Sequence, residues 1–337
     1  MKQKKVTFAD IAAYTGFSKT TISRYFNNPD SLTLENQEKI THALDVLGYQ
    51  ENKLAKVLAN GKSEFVGIII PNLYLHYYSE MLNQLLSTYE KYNYKFLVFI
   101  GNNKKEIEEK YIHELMAYKI EGLIVLSNTI SSEELASYKL PVVTIERECS
   151  VSTDNYLGGV QATSLLIRNN CDVILHINSI FSDTLPPYGR IQGFEDICNE
   201  HHITHELIQR NMGNTYQETL AQLKNIFNEI EEKYPAQKKG VFLANDTYAS
   251  MFLNLIFQKY GKLPKDYQIV GFDDSPIASE AILPITTVGQ QIEKIAQTAM
   301  ELLVLQMNEM KKRKPTPLKE PVHKQITPVL IRRDTTE

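Results

Sequence analysis

From residue 65 onward the chain alternates short apolar runs with longer amphipathic stretches, and few folds accept that alternation. The runs at residues 65–70, 95–100, 122–126, 142–145, 173–177, 240–244 and 269–272 read as strands, with a further piece near Val329. Several are apolar throughout, such as the FVGIII run that opens the series, which suits strands covered on both faces. Between them, residues 79–92, 105–117, 157–168, 190–200, 217–234, 248–260 and 292–312 carry helical spacing. Strands and helices in turn predict doubly wound parallel sheets. A stretch of about 270 residues suits two such lobes better than one.

A different pattern precedes this body. Residues 7–27, TFADIAAYTGFSKTTISRYFN, carry two short helical signals broken at Gly16. Thr7 can cap the first helix, with Asp10 completing a capping box. Phe8, Ile11, Ala12 and Tyr14 form its apolar stripe. Ser18 can cap a second helix, in which Ile22 and Phe26 share one face. Lys19, Thr20, Ser23, Arg24 and Asn27 fall on the other, and a short helix with such a face fits a DNA major groove. Alone, the pattern equally describes an inert helical hairpin. Thr33 can cap a third helix, with Ile40, Ala43, Leu44 and Leu47 as its stripe and Gly48 as its end. Asn52 then opens a segment running to Asn60, too short to be a stable helix alone. It reads as a linker that becomes helical when something pairs with it. Residues 1–62 hold nine Lys/Arg against six Asp/Glu, whereas the remainder holds 27 against 34. A basic head on an acidic body suits nucleic-acid binding by the head.

Other chemistries find little support. The longest apolar runs, such as residues 66–70, are far too short to span a bilayer, so no membrane partner is expected. MKQKKVTFAD has no apolar segment of a secretory signal, and a cytoplasmic location is expected. Cys149, Cys171 and Cys198 are odd in number and widely spaced, as free thiols are. His201, His202 and His205 form a cluster at a helix end with no third metal ligand suggested, so a solvated loop is the better reading. KKRK at residues 311–314 reads as a solvated helix end before Pro315. No dinucleotide fingerprint, P-loop or nucleophile elbow appears. No cofactor, metal or catalytic residue is expected.

The order of head, Asn-capped linker and bilobed α/β body resembles the LacI/GalR family of bacterial transcriptional regulators. The resemblance rests on VTFADIAAYTGFSKTTISRYFNN, LTLENQEKI and LGYQENKLAKVLANG in the head, and on GIIIPN, EGLIV, PVVTIER, DNYLGG, RIQGF, ANDTYA, GFDDSP and TTVGQ in the body. It implies a three-helix helix-turn-helix domain over residues 1–50 and a hinge helix over 51–63. The body over 64–337 is then similar to periplasmic binding proteins, with one lobe at about 64–161 and 290–325 and the other at about 162–289 and 326–337.

The family resemblance further implies a homodimer that reads two half-sites of a pseudo-palindromic operator. Lys19, Thr20 and Arg24 match its base-reading positions, Thr21, Ser23 and Asn27 read as backbone-positioning or packing residues, and Thr7 and Ser18 complete the expected DNA-binding set of the head. Asn52, Lys53, Ala55, Lys56 and Leu58 match the hinge, with Leu58 as the minor-groove wedge. Asp273, Arg190 and Asn245 match the main effector contacts. Each lies just past a strand or at a helix start, where open α/β sheets bind ligands. An Asp acceptor beside Asn and Arg donors suits a sugar or sugar phosphate. Asp273 or Asp274 is alternatively a turn former, and Asp246 is expected to cap a helix. Tyr77, Tyr78, Arg147 and Met212 complete the expected effector set. The expected function is repression of a carbohydrate-utilisation operon, relieved by the effector. The alternative is a corepressor-dependent regulator of the purine or phosphocarrier type. A solute-binding protein and a sugar-modifying enzyme fit less well, and the sequence after residue 326 shows no apolar heptads for a tetramer.

Overall fold

The computed structural model describes residues 6–50, 63–147, 151–181, 183–312 and 322–337. The chain divides into two compact units, Met1–Lys62 and Ser63–Glu337. In the first, local chemistry sets the helix ends. The Asp10 carboxylate accepts from the Thr7 N–H at 2.8 Å and from its hydroxyl at 2.6 Å, opening α1 (Phe8–Thr15). Gly16 closes it at φ 74°. The Ser18 hydroxyl accepts from the Thr21 N–H at 3.1 Å and opens α2 (Lys19–Asn27). Thr33 caps α3 (Leu34–Leu47), which ends at Gly48 with φ 61°. Ile11, Ile22, Ile40 and Ala43 are buried, Phe8 stacks on Phe26 at 5.1 Å, and Tyr49 folds over both rings. Tyr14 does not join this core. It stands in the last turn of α1, 50% exposed.

The second unit begins β1 (Phe65–Ile70), α4 (His76–Ser87), α5 (Tyr89–Tyr92), β2 (Lys95–Ile100), α6 (Lys105–Ala117), β3 (Gly122–Val125), α7 (Ser132–Ser137) and β4 (Val142–Thr144). Its strands form a parallel sheet in the order β2-β1-β3-β4. The chain continues through β5 (Val151–Thr153), α8 (Asn155–Arg168), β6 (Val173–Ser179), α9 (Gly189–Glu200), β7 (Thr204–Arg210), α10 (Tyr216–Lys233) and β8 (Lys239–Leu243). Then come α11 (Asp246–Tyr260), β9 (Tyr267–Asp273), α12 (Pro276–Glu280), β10 (Thr286–Gly289), α13 (Ile292–Met310), β11 (Lys324–Ile326) and β12 (Val329–Ile331). The second sheet has the order β12-β10-β9-β8-β6-β7, parallel except for β12.

Continuous apolar strands arise because both faces of each sheet are covered. Successive side chains alternate across a strand. Ile68 and Ile70 of β1 therefore join Met81 and Leu85 of α4 and Met300 and Leu303 of α13. Ile69 joins Ile112 and Leu115 of α6 on the opposite face. In the second sheet, Val241 and Leu243 pack with α10 and α11, while Phe242 packs with α8 and α9. The edge strand β2 departs from the expected full cover, with Val98 36% and Ile100 37% exposed.

Three crossings join the lobes: β5 into α8, β10 into α13, and β11 into β12. They are tied together by the β5–β11 pair and by the Asp154 N–H donating to Ile326 O at 2.9 Å. The lobe boundary expected near residue 161 falls inside α8. Ala162, Leu165 and Leu166 of that helix pack in the second lobe's core, so the crossing lies ahead of it. β5, β7, β10 and β11 were not legible as strands, nor α7 and α12 as helices. Residues 79–92 divide at Thr88, whose hydroxyl donates to Leu85 O at 2.6 Å.

Helices α8 and α9 pack at backbone distance. A methyl group at Gly159 would overlap Arg190 O, and one at Gly193 would overlap Tyr156 O. Gly193→Ala is therefore expected to destabilise the body by roughly 1–3 kcal/mol. A thermal melt reads this directly, and an unchanged melting temperature would contradict the close packing.

Candidate functional site

On α2, Lys19, Thr20 and Arg24 are exposed. The other head residues with expected roles are engaged locally. Thr7 bonds Asp10, Ser18 and Thr21 share a hydroxyl contact at 2.9 Å, and the Asn27 amide donates to Ser23 O at 3.0 Å. The helix thus presents two cations and a hydroxyl on a face whose backbone is fixed by its neighbours. Asn52, Lys53, Ala55, Lys56 and Leu58 lie outside the described residues.

Within the second unit, a cavity of about 200 Å³ opens at the strand ends of both sheets. Tyr77, Tyr78, Asn128 and Glu146 line it from the first lobe, and Asn178, Phe181, Arg190, Asn245, Tyr248 and Asp273 from the second. Gln290 lines it at a crossing. Arg190 is held from three directions. Its Nε donates to Asn155 Oδ1 at 2.6 Å, its NH1 donates to Ala244 O at 2.7 Å, and its guanidinium lies 3.7 Å over the Phe272 ring.

Asp273 ends β9 at φ 112°, followed by Asp274 at φ 56°. Such backbone for a non-glycine pair costs of order 1–3 kcal/mol each and marks a functional bend. Asp274 Oδ1 accepts from Arg333 at 2.6 Å, and Asp273 Oδ1 accepts from Gln290 Nε2 at 2.5 Å. Burial raises the Asp273 carboxyl well above its usual range, the nearby Asp246 charge raises it further, and Arg190 opposes both. The Tyr77 hydroxyl is buried without a hydrogen-bond partner among the described residues. Burial also raises its phenol, leaving a protonated donor at the cavity wall.

Two hydrogen-bonded chains connect cavity side chains to the lobe crossings. In one, Glu146 Oε2 accepts from Asn155 Nδ2 at 2.9 Å, and Asn155 Oδ1 accepts from Arg190. In the other, Gln290 accepts from the Thr153 hydroxyl at 2.6 Å and donates to Asp273. Asn178 is oriented separately. His176 Nδ1 lies 3.0 Å from Phe242 O and must donate to it, so Nε2 accepts from Asn178 at 3.2 Å. Burial lowers His176 to about 4, which keeps it neutral.

Three expectations require correction. Arg147 does not line the cavity. It is 6% exposed and donates to Ser127 O at 3.2 Å and to Ile130 O, whereas its neighbour Glu146 takes the lining position. Met212 is 2% exposed and packs in the second lobe's apolar core, away from the lining. The cap of α11 is Asn245, whose Oδ1 accepts from the Tyr248 N–H at 2.8 Å. Asp246 is instead fully buried and accepts from the Ser275 N–H at 2.8 Å and the Thr287 hydroxyl at 2.5 Å.

Burial pushes the Asp246 carboxyl up to about 7 despite these donors. Its folded form thus keeps a proton that the unfolded chain releases near 3.8. The associated stability is complete below the unfolded value and is lost as pH rises towards 7. The difference in melting temperature between Asp246→Asn and wild type is therefore expected to shift in the variant's favour as pH rises from 4 to 7. His176 has the opposite slope, but it is present in both proteins and cancels in the difference. A difference independent of pH would contradict this.

Cys171 and Cys198 are buried and free, while Cys149 lies outside the described residues. His205 Nδ1 contacts Ile203 O at 2.8 Å, and no group of metal-binding side chains occurs among the described residues. Lys311 pairs with Glu121 at 2.6 Å. Among the described residues, no helix is long and apolar enough to cross a membrane.

Residues 7–52 match the family profile of bacterial regulatory proteins, lacI family. Residues 164–336, just over half of the chain, match that of a periplasmic binding protein-like domain. The chain belongs to the lacI family of bacterial regulatory proteins. This lacI-family chain is 26% identical over 303 residues to a sucrose operon repressor of Streptococcus mutans, covering 88% of this chain and 91% of the relative. A ribose operon repressor of Halalkalibacterium halodurans is 24% identical over 306 residues, with 89% and 90% covered. Among solved structures, the lac repressor dimer bound to operator and the anti-inducer ONPF shares the fold. Its TM-score is 0.81 at 22% identity, with 99% of each chain covered. The family consists of DNA-binding transcriptional regulators rather than enzymes.

Proposed function

We propose that this chain represses a carbohydrate-utilisation operon and leaves its operator when a sugar-like effector fills the cavity between the lobes. The observation that carries the reading is the cavity's chemistry: a buried Asp273 acceptor, an Arg190 guanidinium and a Tyr77 hydroxyl without a partner among the described residues converge on one space. Vicinal hydroxyls both donate and accept, and aromatic walls such as Tyr78 and Phe181 cover their apolar ring faces. The relatives named as sucrose and ribose operon repressors support the carbohydrate class. So does the similarly folded regulator CelR, solved with cellobiose.

DNA binding falls to the head. Lys19, Thr20 and Arg24 reach base edges in a homodimer that spans two half-sites, and residues 52–58 serve as the hinge. Arg190 and Asp273 each belong to a hydrogen-bonded chain ending at a lobe crossing. An effector that engages both favours one lobe arrangement and shifts the population away from the DNA-competent one. A melting-temperature screen against sucrose, D-ribose, cellobiose, sugar phosphates and purines tests the ligand class, because a ligand of the folded body raises its melting point. Stabilisation by sugars is the expected result. Stabilisation by purines alone would sink the carbohydrate assignment.

A further inference from the structure

The loop between β3 and α7 lines the cavity with the apolar Leu126 and the polar Asn128. Asn128 is exposed and lines the cavity, whereas Ser127 and Ile130 beside it are buried. The Asn128 amide makes no hydrogen bond to the described residues and is free for a ligand. What holds it there lies behind the loop. Glu108 of α6 is fully buried, and its Oε2 accepts from the Ser127 hydroxyl at 2.6 Å and from the Thr129 hydroxyl. Its Oε1 has no hydrogen-bond partner among the described residues, and its Oε2 takes both donors of this loop. The Thr129 N–H donates to Ser127 Oγ at 3.2 Å, tightening the turn around residue 128. From the other flank, Arg147 donates to Ser127 O and Ile130 O, bracketing the four-residue arc 127–130.

We propose that Glu108 and Arg147 are positioning residues, which clamp residues 127–130 between them and so fix the Asn128 amide against the effector. Effector selectivity on the first lobe's side then depends on two charged residues that never touch the ligand. Arg147 acts through the loop it anchors. The inference rests on the reading of the cavity as a sugar site, and its test separates the two.

Hydrogen exchange on the full chain without ligand examines the clamp itself. Thr129→Val removes one donor to Glu108 and keeps both buried charges, and Arg147→Met removes the opposite anchor. Both are expected to speed exchange within residues 126–131, whereas Glu108→Gln, which keeps an acceptor oxygen, is expected to stay near wild type. Unchanged exchange in Thr129→Val and Arg147→Met would overturn the clamp whatever the ligand. Calorimetry with sucrose, D-ribose and cellobiose examines the consequence. For any of these that binds the wild type, Asn128→Ala is expected to weaken binding about tenfold, the loss of one amide hydrogen bond. Arg147→Met should cost about the same alone and less than about twofold on top of Asn128→Ala, because both changes remove one contact. Arg147→Lys should recover part of the loss. Additive losses would overturn the positioning role. Failure of all three sugars to bind wild type would overturn the sugar reading instead, and the exchange result would still decide the clamp.

Discussion

Arg24→Ala is expected to lower affinity for selected operator DNA by at least about thirtyfold, with much smaller effect on random DNA. A bidentate guanidinium on guanine is worth about 1–3 kcal/mol of discrimination, and a dimer makes the contact in both half-sites. At 1.4 kcal/mol per decade, two such losses give at least that factor. Random-sequence DNA loses only one charge per subunit, a change that high salt would diminish. Arg24 suits this role because it is exposed on α2 while Ile22, two positions away, is buried in the head's core. The helix cannot rotate to hide one without exposing the other. DNA selected from a random pool by the wild-type chain, titrated by anisotropy against both proteins, reads the ratio. Full discrimination by Arg24→Ala would remove α2 from the base-reading role.

Asp273→Asn is expected to weaken sugar binding by roughly ten- to a hundredfold while operator affinity stays within about twofold. Replacing the carboxyl with an amide leaves a buried sugar hydroxyl without its partner, which costs about 1–3 kcal/mol. Asparagine keeps the shape, tolerates positive φ and preserves an acceptor for Gln290. The substitution therefore replaces the carboxyl that faces the cavity with an amide without opening a void. Calorimetry of the sugar and anisotropy of the operator, performed on the same protein, separate the two effects. Equal sugar affinity in both proteins would place the effector elsewhere.

Much of this architecture was legible from periodicity because burial on both faces leaves no polar position in β1 or β3. The edge and crossing strands were not. β7 reads THELIQR because its outer edge faces solvent, and β10 reads TTVG because Thr286 bonds Thr335 and Thr336 and Thr287 bonds the buried Asp246, rather than an apolar layer. β5 and β11 have three residues each, and only their mutual pairing makes them strands.

Among the expected site residues, Arg190, Asn245 and Asp273 line the cavity because strand ends and helix starts fix their location. Glu146 was missed for Arg147, one position along, because the φ of 57° at Glu146 redirects the chain after β4 in a way that alternation does not encode. Met212 was misplaced because residues after β7 return to the core before α10 begins. The Thr219 hydroxyl donates to Met212 O at 3.0 Å and fixes that return. Gln290 had a visible signal in TTVGQ, but its role depends on bonds to Thr153 and Asp273, far away in sequence.

In the proposed mechanism, cavity occupancy sets DNA affinity. Operator affinity of the full chain, measured with and without a sugar that raises its melting temperature, tests this most directly, with Asp273→Asn as the paired protein. Wild type should lose at least about tenfold in operator affinity when the sugar is saturating, a coupling of about 1.4 kcal/mol or more, and Asp273→Asn at the same sugar concentration should lose almost none. An operator affinity indifferent to the bound sugar in wild type, or the same loss in both proteins, would contradict it.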